Sequence, residues 1–202
     1  MKRRNFIRTA AVSGIAFSGL TGAINASASE SKVSNSEKFK LNYAPGLGTF
    51  REHAGNDPID NIKFISDQGF TAIFDNGLMG KSPEMQEKIA NELAKRGMEL
   101  GPFVLYADFG VRSFVTQDAE MKAMLKKKMQ EGLEVHKRTG VKTALVVPGK
   151  YHDKLHWDYQ TANVIENMRM CCEEVEKTDL KLVMEPLNAH TDHPGLFLTG
   201  MP

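Results

Sequence analysis

The strongest constraint on this chain is the order in which two kinds of pattern recur. A short apolar run is followed by a helical pattern, and the pair repeats down the chain. The runs fall at 39–44, 71–74, 99–106, 143–147 and 181–184 and read as strands. Between them, apolar residues recur at spacings of three and four. Ile59, Ile62 and Ile65 form one stripe, opened by Asp57-Pro58 and stopped by Gly69. Met85, Ile89 and Leu93 form a second, opened by Ser82-Pro83 and stopped by Gly97. Leu125, Met129, Leu133 and His136 form a third, which ends at Gly140, and Thr161, Ile165, Met168, Cys172 and Val175 form a fourth. Such spacings place each set on one helix face, and the Pro starts and Gly stops are the expected punctuation. On this reading His136 and Cys172 pack into the core, Cys171 lies beside the same stripe, and Lys126-Lys127-Lys128 is a solvated face.

Alternation of this kind predicts a parallel sheet with helices outside it. A doubly wound sheet and a (β/α)8 barrel both satisfy it. No Gly-x-Gly-x-x-Gly follows the first run, where a dinucleotide-binding fold would carry one; Gly46-Leu47-Gly48 lacks the third glycine. The expected fold is therefore a (β/α)8 TIM barrel, with about the first five β/α units present. A barrel of about 250 residues needs eight units. The expectation is a barrel cut after its fifth strand, and residues 1–202 alone would then be neither a stable monomer nor an active enzyme.

The amino terminus reads as an address. Lys2-Arg3-Arg4-Asn5-Phe6-Ile7-Arg8 is a paired-arginine segment, followed by a weakly apolar stretch and by Ala26-Ser27-Ala28. Residues 1–28 thus resemble a twin-arginine export signal leading to the periplasm, and the polar residues 29–38 read as a linker. The export machinery is one expected partner. The whole chain carries 26 basic and 25 acidic residues. Residues 1–28 hold four of the basic ones and no acid, so the remainder is mildly acidic. That body lacks the basic footprint of a nucleic-acid binder. Cys171 and Cys172 are adjacent, which excludes a disulfide framework and a four-thiolate zinc site.

In a barrel, chemistry sits at the C-terminal ends of the strands. Those positions hold Asn42 and, further on, Arg51, Glu52 and His53 after the first run; Asp75 and Asn76 after the second; Tyr106 and Asp108 after the third; and Lys150, Tyr151 and His152 after the fourth. After the fifth come Glu185, Asn188, His190, Asp192 and His193. Glu185 carries the most information. It ends the apolar run Leu182-Val183-Met184, and Pro186 stops the strand directly after it. A carboxylate so placed is costly to desolvate unless it is paired, hydrogen-bonded or metal-bound. A structural salt bridge, a metal ligand and a general base all fit the position.

Several segments together are more specific. They are Lys40-Leu41-Asn42-Tyr43-Ala44-Pro45, Glu52-His53-Ala54-Gly55, Asp75-Asn76-Gly77, Val146-Val147-Pro148-Gly149, Met184-Glu185-Pro186-Leu187-Asn188 and His193-Pro194-Gly195-Leu196-Phe197-Leu198. Over residues 39–202 the chain resembles the hydroxypyruvate isomerase-like proteins of the xylose-isomerase-like TIM-barrel superfamily. The resemblance implies interconversion of an α-hydroxy ketone and aldehyde, such as hydroxypyruvate and tartronate semialdehyde or a related small sugar. In that chemistry two glutamates exchange a proton through an enediolate, and a divalent metal, Mg or Mn, stabilises the charge. Glu185 matches the first glutamate, both as metal ligand and as catalytic residue. Asn42, His53, Asn76, Asn188, His190 and His193 are the expected substrate contacts. In the family the remaining ligands and the second glutamate follow strands six to eight, and an Arg is expected near His190. Two other readings stay open: a sugar 3-epimerase of the same superfamily, and an exported non-catalytic binding remnant.

Overall fold

The computed structural model describes residues 37–200. The expected export signal, 1–28, and most of the linker, 29–38, lie outside the described residues.

Among the described residues the chain alternates strand and helix, and all strand pairs are parallel. The strands are β1 (Ala72–Ile73), β2 (Glu99–Leu100), β3 (Phe103–Tyr106), β4 (Thr143–Val146) and β5 (Lys181–Met184). β1 pairs with β2, while β3, β4 and β5 form a second ladder in that order. The helices are α1 (Arg51–Ala54), α2 (Pro58–Asp67), α3 (Pro83–Arg96), α4 (Ala119–Thr139) and α5 (Trp157–Val175). α2 packs on α3, α3 on α4 and α4 on α5. Consecutive helices are thus neighbours along one wall. A doubly wound sheet would split them between its two faces, so this order is that of a partial barrel. No helix among the described residues is long and apolar enough to cross a membrane.

The helix signals act as expected. Asp57 caps α2, its side chain accepting from the Ile59 and Asp60 N–H groups, and Pro58 follows at the first helical position. Ser82 caps α3 through the Met85 N–H, and Asp118 caps α4 through the Met121 N–H. The core between wall and sheet is built from Ile62, Ile65, Ile73, Ile89, Phe103, Phe114, Leu125 and Met129, all fully buried. His136 is packed, with Nδ1 2.7 Å from the Val141 carbonyl and Nε2 3.2 Å from Asp179.

Three elements differ from the sequence reading. The run 39–44 is not a strand. Its ring Phe39 packs on Phe70 and Tyr43, and the Tyr43 N–H turns back to the Leu41 carbonyl. Pairing begins only at Gly46, which bridges Phe74, and Pro45 has no N–H to extend it upstream. The run 99–106 is broken. Gly101 donates to the Ile73 carbonyl and Pro102 has no N–H, so β2 pairs with β1 while β3 turns to β4.

The buried face of α5 also lies one residue away from the expected stripe. It consists of Gln160, Val164, Asn167, Cys171 and Val175. Cys171 is therefore the core cysteine and Cys172 is exposed, the reverse of the expectation. Burial pushes the Cys171 thiol up to about 12. Thr161, Ile165, Met168 and Cys172 instead line an apolar groove of about 420 Å³ against Met184, Phe197 and Leu198.

Candidate functional site

The parallel strands bring their C-terminal ends to one rim, and the loops that follow β3, β4 and β5 are stitched together there. Gly149 is central to the stitching. Its φ is +83°, and the Val111 carbonyl and Ser113 hydroxyl sit where a Cβ would lie. Around it, the Ser113 hydroxyl donates to the Pro148 carbonyl at 2.9 Å, the Phe114 N–H donates to the same carbonyl, and the Lys150 N–H donates to Val111 at 2.8 Å. The loop after β5 closes back on the same place. Tyr151 donates to the Gly195 carbonyl, Phe197 donates to the Gly149 carbonyl, and Leu196 bridges Lys150.

Glu185 stands at the end of β5. Its backbone N–H donates to the Val146 carbonyl at 3.2 Å, which fixes its height relative to β4. It is half-buried, and no side chain among the described residues bonds its carboxylate. His193, on the same loop, is half-buried against Phe109 with ring centroids 4.6 Å apart. The β5 and β3 loops thus meet across the rim. Tyr106, at the end of β3, is buried, and that burial raises its phenol above the usual range while a hydrogen bond with Ser113 opposes the shift.

The other expected contacts are dispersed. Asn76 follows Asp75 at the end of β1 and is exposed. Asp75 itself is buried as an ion pair, 2.8 Å from the Lys81 ammonium. Asn188 is exposed and organises its own loop: its Oδ1 accepts from the His190 N–H and its Nδ2 donates to Asp192. His190 is exposed on that turn. His53 lies in α1, stacked on Phe64 of α2. Asn42 accepts from the Thr71 hydroxyl, at the beginning of β1 and so at the opposite end of the sheet from the rim. The displacement follows from the first segment pairing at Gly46 rather than at 39–44.

Among the described residues no group of three or more His, Cys, Asp or Glu side chains is placed to hold a metal ion. Glu185 is the single expected ligand, so the donor set here does not by itself fit a divalent metal.

The sequence reading missed two structural residues. Gln160, 1% exposed, donates to the His152 and Leu155 carbonyls and accepts from the His152 N–H. Asn167, also 1% exposed, donates to the Phe114 and Thr116 carbonyls. Both are polar residues inside a helix that needs an apolar face, and that conflict was the available signal.

A family model described as the xylose isomerase-like TIM barrel matches residues 62–198. No curated protein matches the sequence. Among solved structures, the chain is similar to an AP endonuclease of family 2 from Brucella melitensis, at 18% identity and a TM-score of 0.62, over 77% of this chain and 58% of that one. It is similar to a 3-keto-D-glucoside 4-epimerase from E. coli, at 16% identity and a TM-score of 0.58, over 76% of this chain and 59% of that one. It is also similar to a D-psicose 3-epimerase from Clostridium cellulolyticum H10, at 13% identity and a TM-score of 0.54, over 76% and 55%. The chain spans somewhat over half the length of each of these structures, and identities this low establish the fold alone.

Proposed function

The chain belongs to the xylose isomerase-like TIM-barrel family, and from that premise we propose that it serves an isomerase or epimerase acting on a small hydroxy-carbonyl compound. The reading rests on one observation: Glu185, at a strand end on the rim, is half-buried with no side-chain partner among the described residues. A carboxylate held there without a counter-charge suits proton transfer better than structural support. The similarity to two epimerases of sugars supports the same substrate class.

With hydroxypyruvate, the Glu185 carboxylate takes a proton from C3. The electron pair of that C–H bond forms the C2–C3 double bond of an enediolate, and negative charge moves to the C2 oxygen. Protonation at C2 by solvent, with the C3 hydroxyl proton passing to the C2 oxygen, gives tartronate semialdehyde. Glu185 alone does not supply a divalent-metal donor set, so the step is written through the carboxylate.

Proton removal can be followed without the full isomerisation. In D2O the chain should exchange the C3 hydrogens of hydroxypyruvate for deuterium, read by proton NMR with and without added Mg or Mn. Glu185→Gln should slow that exchange about 100-fold or more, with little change in melting temperature. An equal rate in the variant would overturn the assignment of Glu185. No exchange by the parent would overturn the catalytic reading in favour of a binding protein.

We propose also that residues 1–28 direct twin-arginine export. Replacing Arg3 and Arg4 together with Lys should leave the precursor in the cytoplasm, as cell fractionation would show. Undiminished export of that variant would refute the proposal.

A further inference from the structure

The stitching of the β3 loop onto the end of β4 creates a second feature on the same rim. A cleft of about 610 Å³ opens between the two loops, with Arg112 on one side and Lys150 and His152 on the other. Lys150 is half-buried and has no carboxylate partner among the described residues. An ammonium group without a counter-ion keeps its donors available to an anion. Arg112 forms one contact, 2.8 Å to Asp153, which is not part of the lining. A guanidinium has five N–H donors in a fixed fork, so most remain available. His152 accepts the Lys154 N–H at Nδ1, with the Asp153 carboxylate 3.7 Å from the same nitrogen, so Nε2 is the ring nitrogen left for a ligand. The one carboxylate in the lining is Asp118, and its Oδ1 is engaged by the Met121 N–H as the cap of α4.

We propose that this cleft binds the anionic group, carboxylate or phosphate, of a small ligand. The donors are two cations and one imidazole N–H, set on two loops that the Gly149 contacts hold in register. Anion binding needs such donors fixed in advance, because charge-assisted hydrogen bonds reward geometry as well as charge. Lys150 is the central residue, since it is the cation with no ion-pair partner among the described residues. Glu185 is not part of the lining, so the inference stands whether or not Glu185 is the proton-transfer carboxylate.

The test is titration of the full chain with inorganic phosphate and, separately, with malonate. Ionic strength is held constant with chloride, and binding is read by calorimetry and by amide shifts in the two loops. One of the two anions should bind saturably, with shifts at Gly110, Val111 and Lys150, and the better ligand identifies the group recognised. Lys150→Met should weaken binding about tenfold or more, Lys150→Arg should retain most of it, and Arg112→Gln should weaken it less. Absence of saturable binding by both anions would overturn the proposal. So would undiminished binding in a folded Lys150→Met, or, if that variant fails to fold, in Arg112→Gln.

Discussion

Replacing Gly149 with alanine should destabilise the chain by about 3–5 kcal/mol and lower its melting temperature by roughly 10 °C. Two costs add. At a φ of +83° a side chain is strained whatever the space around it, and the new Cβ would collide with the Val111 carbonyl oxygen and lie 2.6 Å from the Ser113 hydroxyl. The first obstruction is backbone, which cannot rotate away. To relieve it, the β3 loop must lift from the end of β4, breaking the Lys150–Val111 and Ser113–Pro148 bonds together. Gly48 supplies the control. Its φ is +92°, but nothing lies within 4 Å of its Cβ position. Gly48→Ala should therefore show the backbone cost alone, about 1–2 kcal/mol. Urea unfolding of both variants measures the difference, and equal losses would mean that the Gly149 crowding carries no weight.

Gln160→Leu should cost about 3 kcal/mol. The side chain keeps its approximate shape but loses three hydrogen bonds, to the His152 and Leu155 carbonyls and from the His152 N–H. Those bonds pin the loop after β4 to the first turn of α5. Without them, peptide groups that had protein partners must find water or stay unpaired. The His152 amide should exchange with solvent much faster, and anion binding in the cleft should weaken because His152 is no longer held. Gln117→Leu is a suitable comparison. The Gln117 side chain is exposed and bonds Asn163 at 3.1 Å, so its loss should fall within about 0.5 kcal/mol. A Gln160 variant as stable as the Gln117 variant would refute the role given to the buried amide.

Gln160 also shows where the sequence stopped being informative. Helix starts and stops were legible because they are local: Asp57-Pro58 and Ser82-Pro83 open α2 and α3, and Gly97 and Gly140 close α3 and α4. The burial face of α5 was not. Its true inner row includes Gln160 and Asn167, whose amide N–H groups donate to loop carbonyls, those of Asn167 more than 50 residues away. A periodicity of apolar residues therefore selected the neighbouring row, with Ile165 and Cys172, which faces the groove. The break in the run 99–106 was readable from Pro102, which cannot donate to a ladder. The place of Glu185 at the end of β5 was legible because Pro186 stops the strand directly behind it. The cleft was not, because Arg112 and Lys150 come to line it only after two loops close on each other at Gly149.

The wall of neighbouring helices carries a consequence for how the chain reaches this state in time. Ala72 pairs with Glu99, Phe103 with Ala144 and Thr143 with Lys181. Each strand waits for a partner only about 30 to 40 residues downstream, and each helix packs on the one before it. Such short-range closure imposes small entropic delays. A chain growing from its amino end can add one strand and one helix at a time onto a surface already formed. The rim is different. Its stitch from Phe197 to Gly149 needs the loop after β5, so the face that carries Glu185 and the cleft closes only once β5 and that loop are in place.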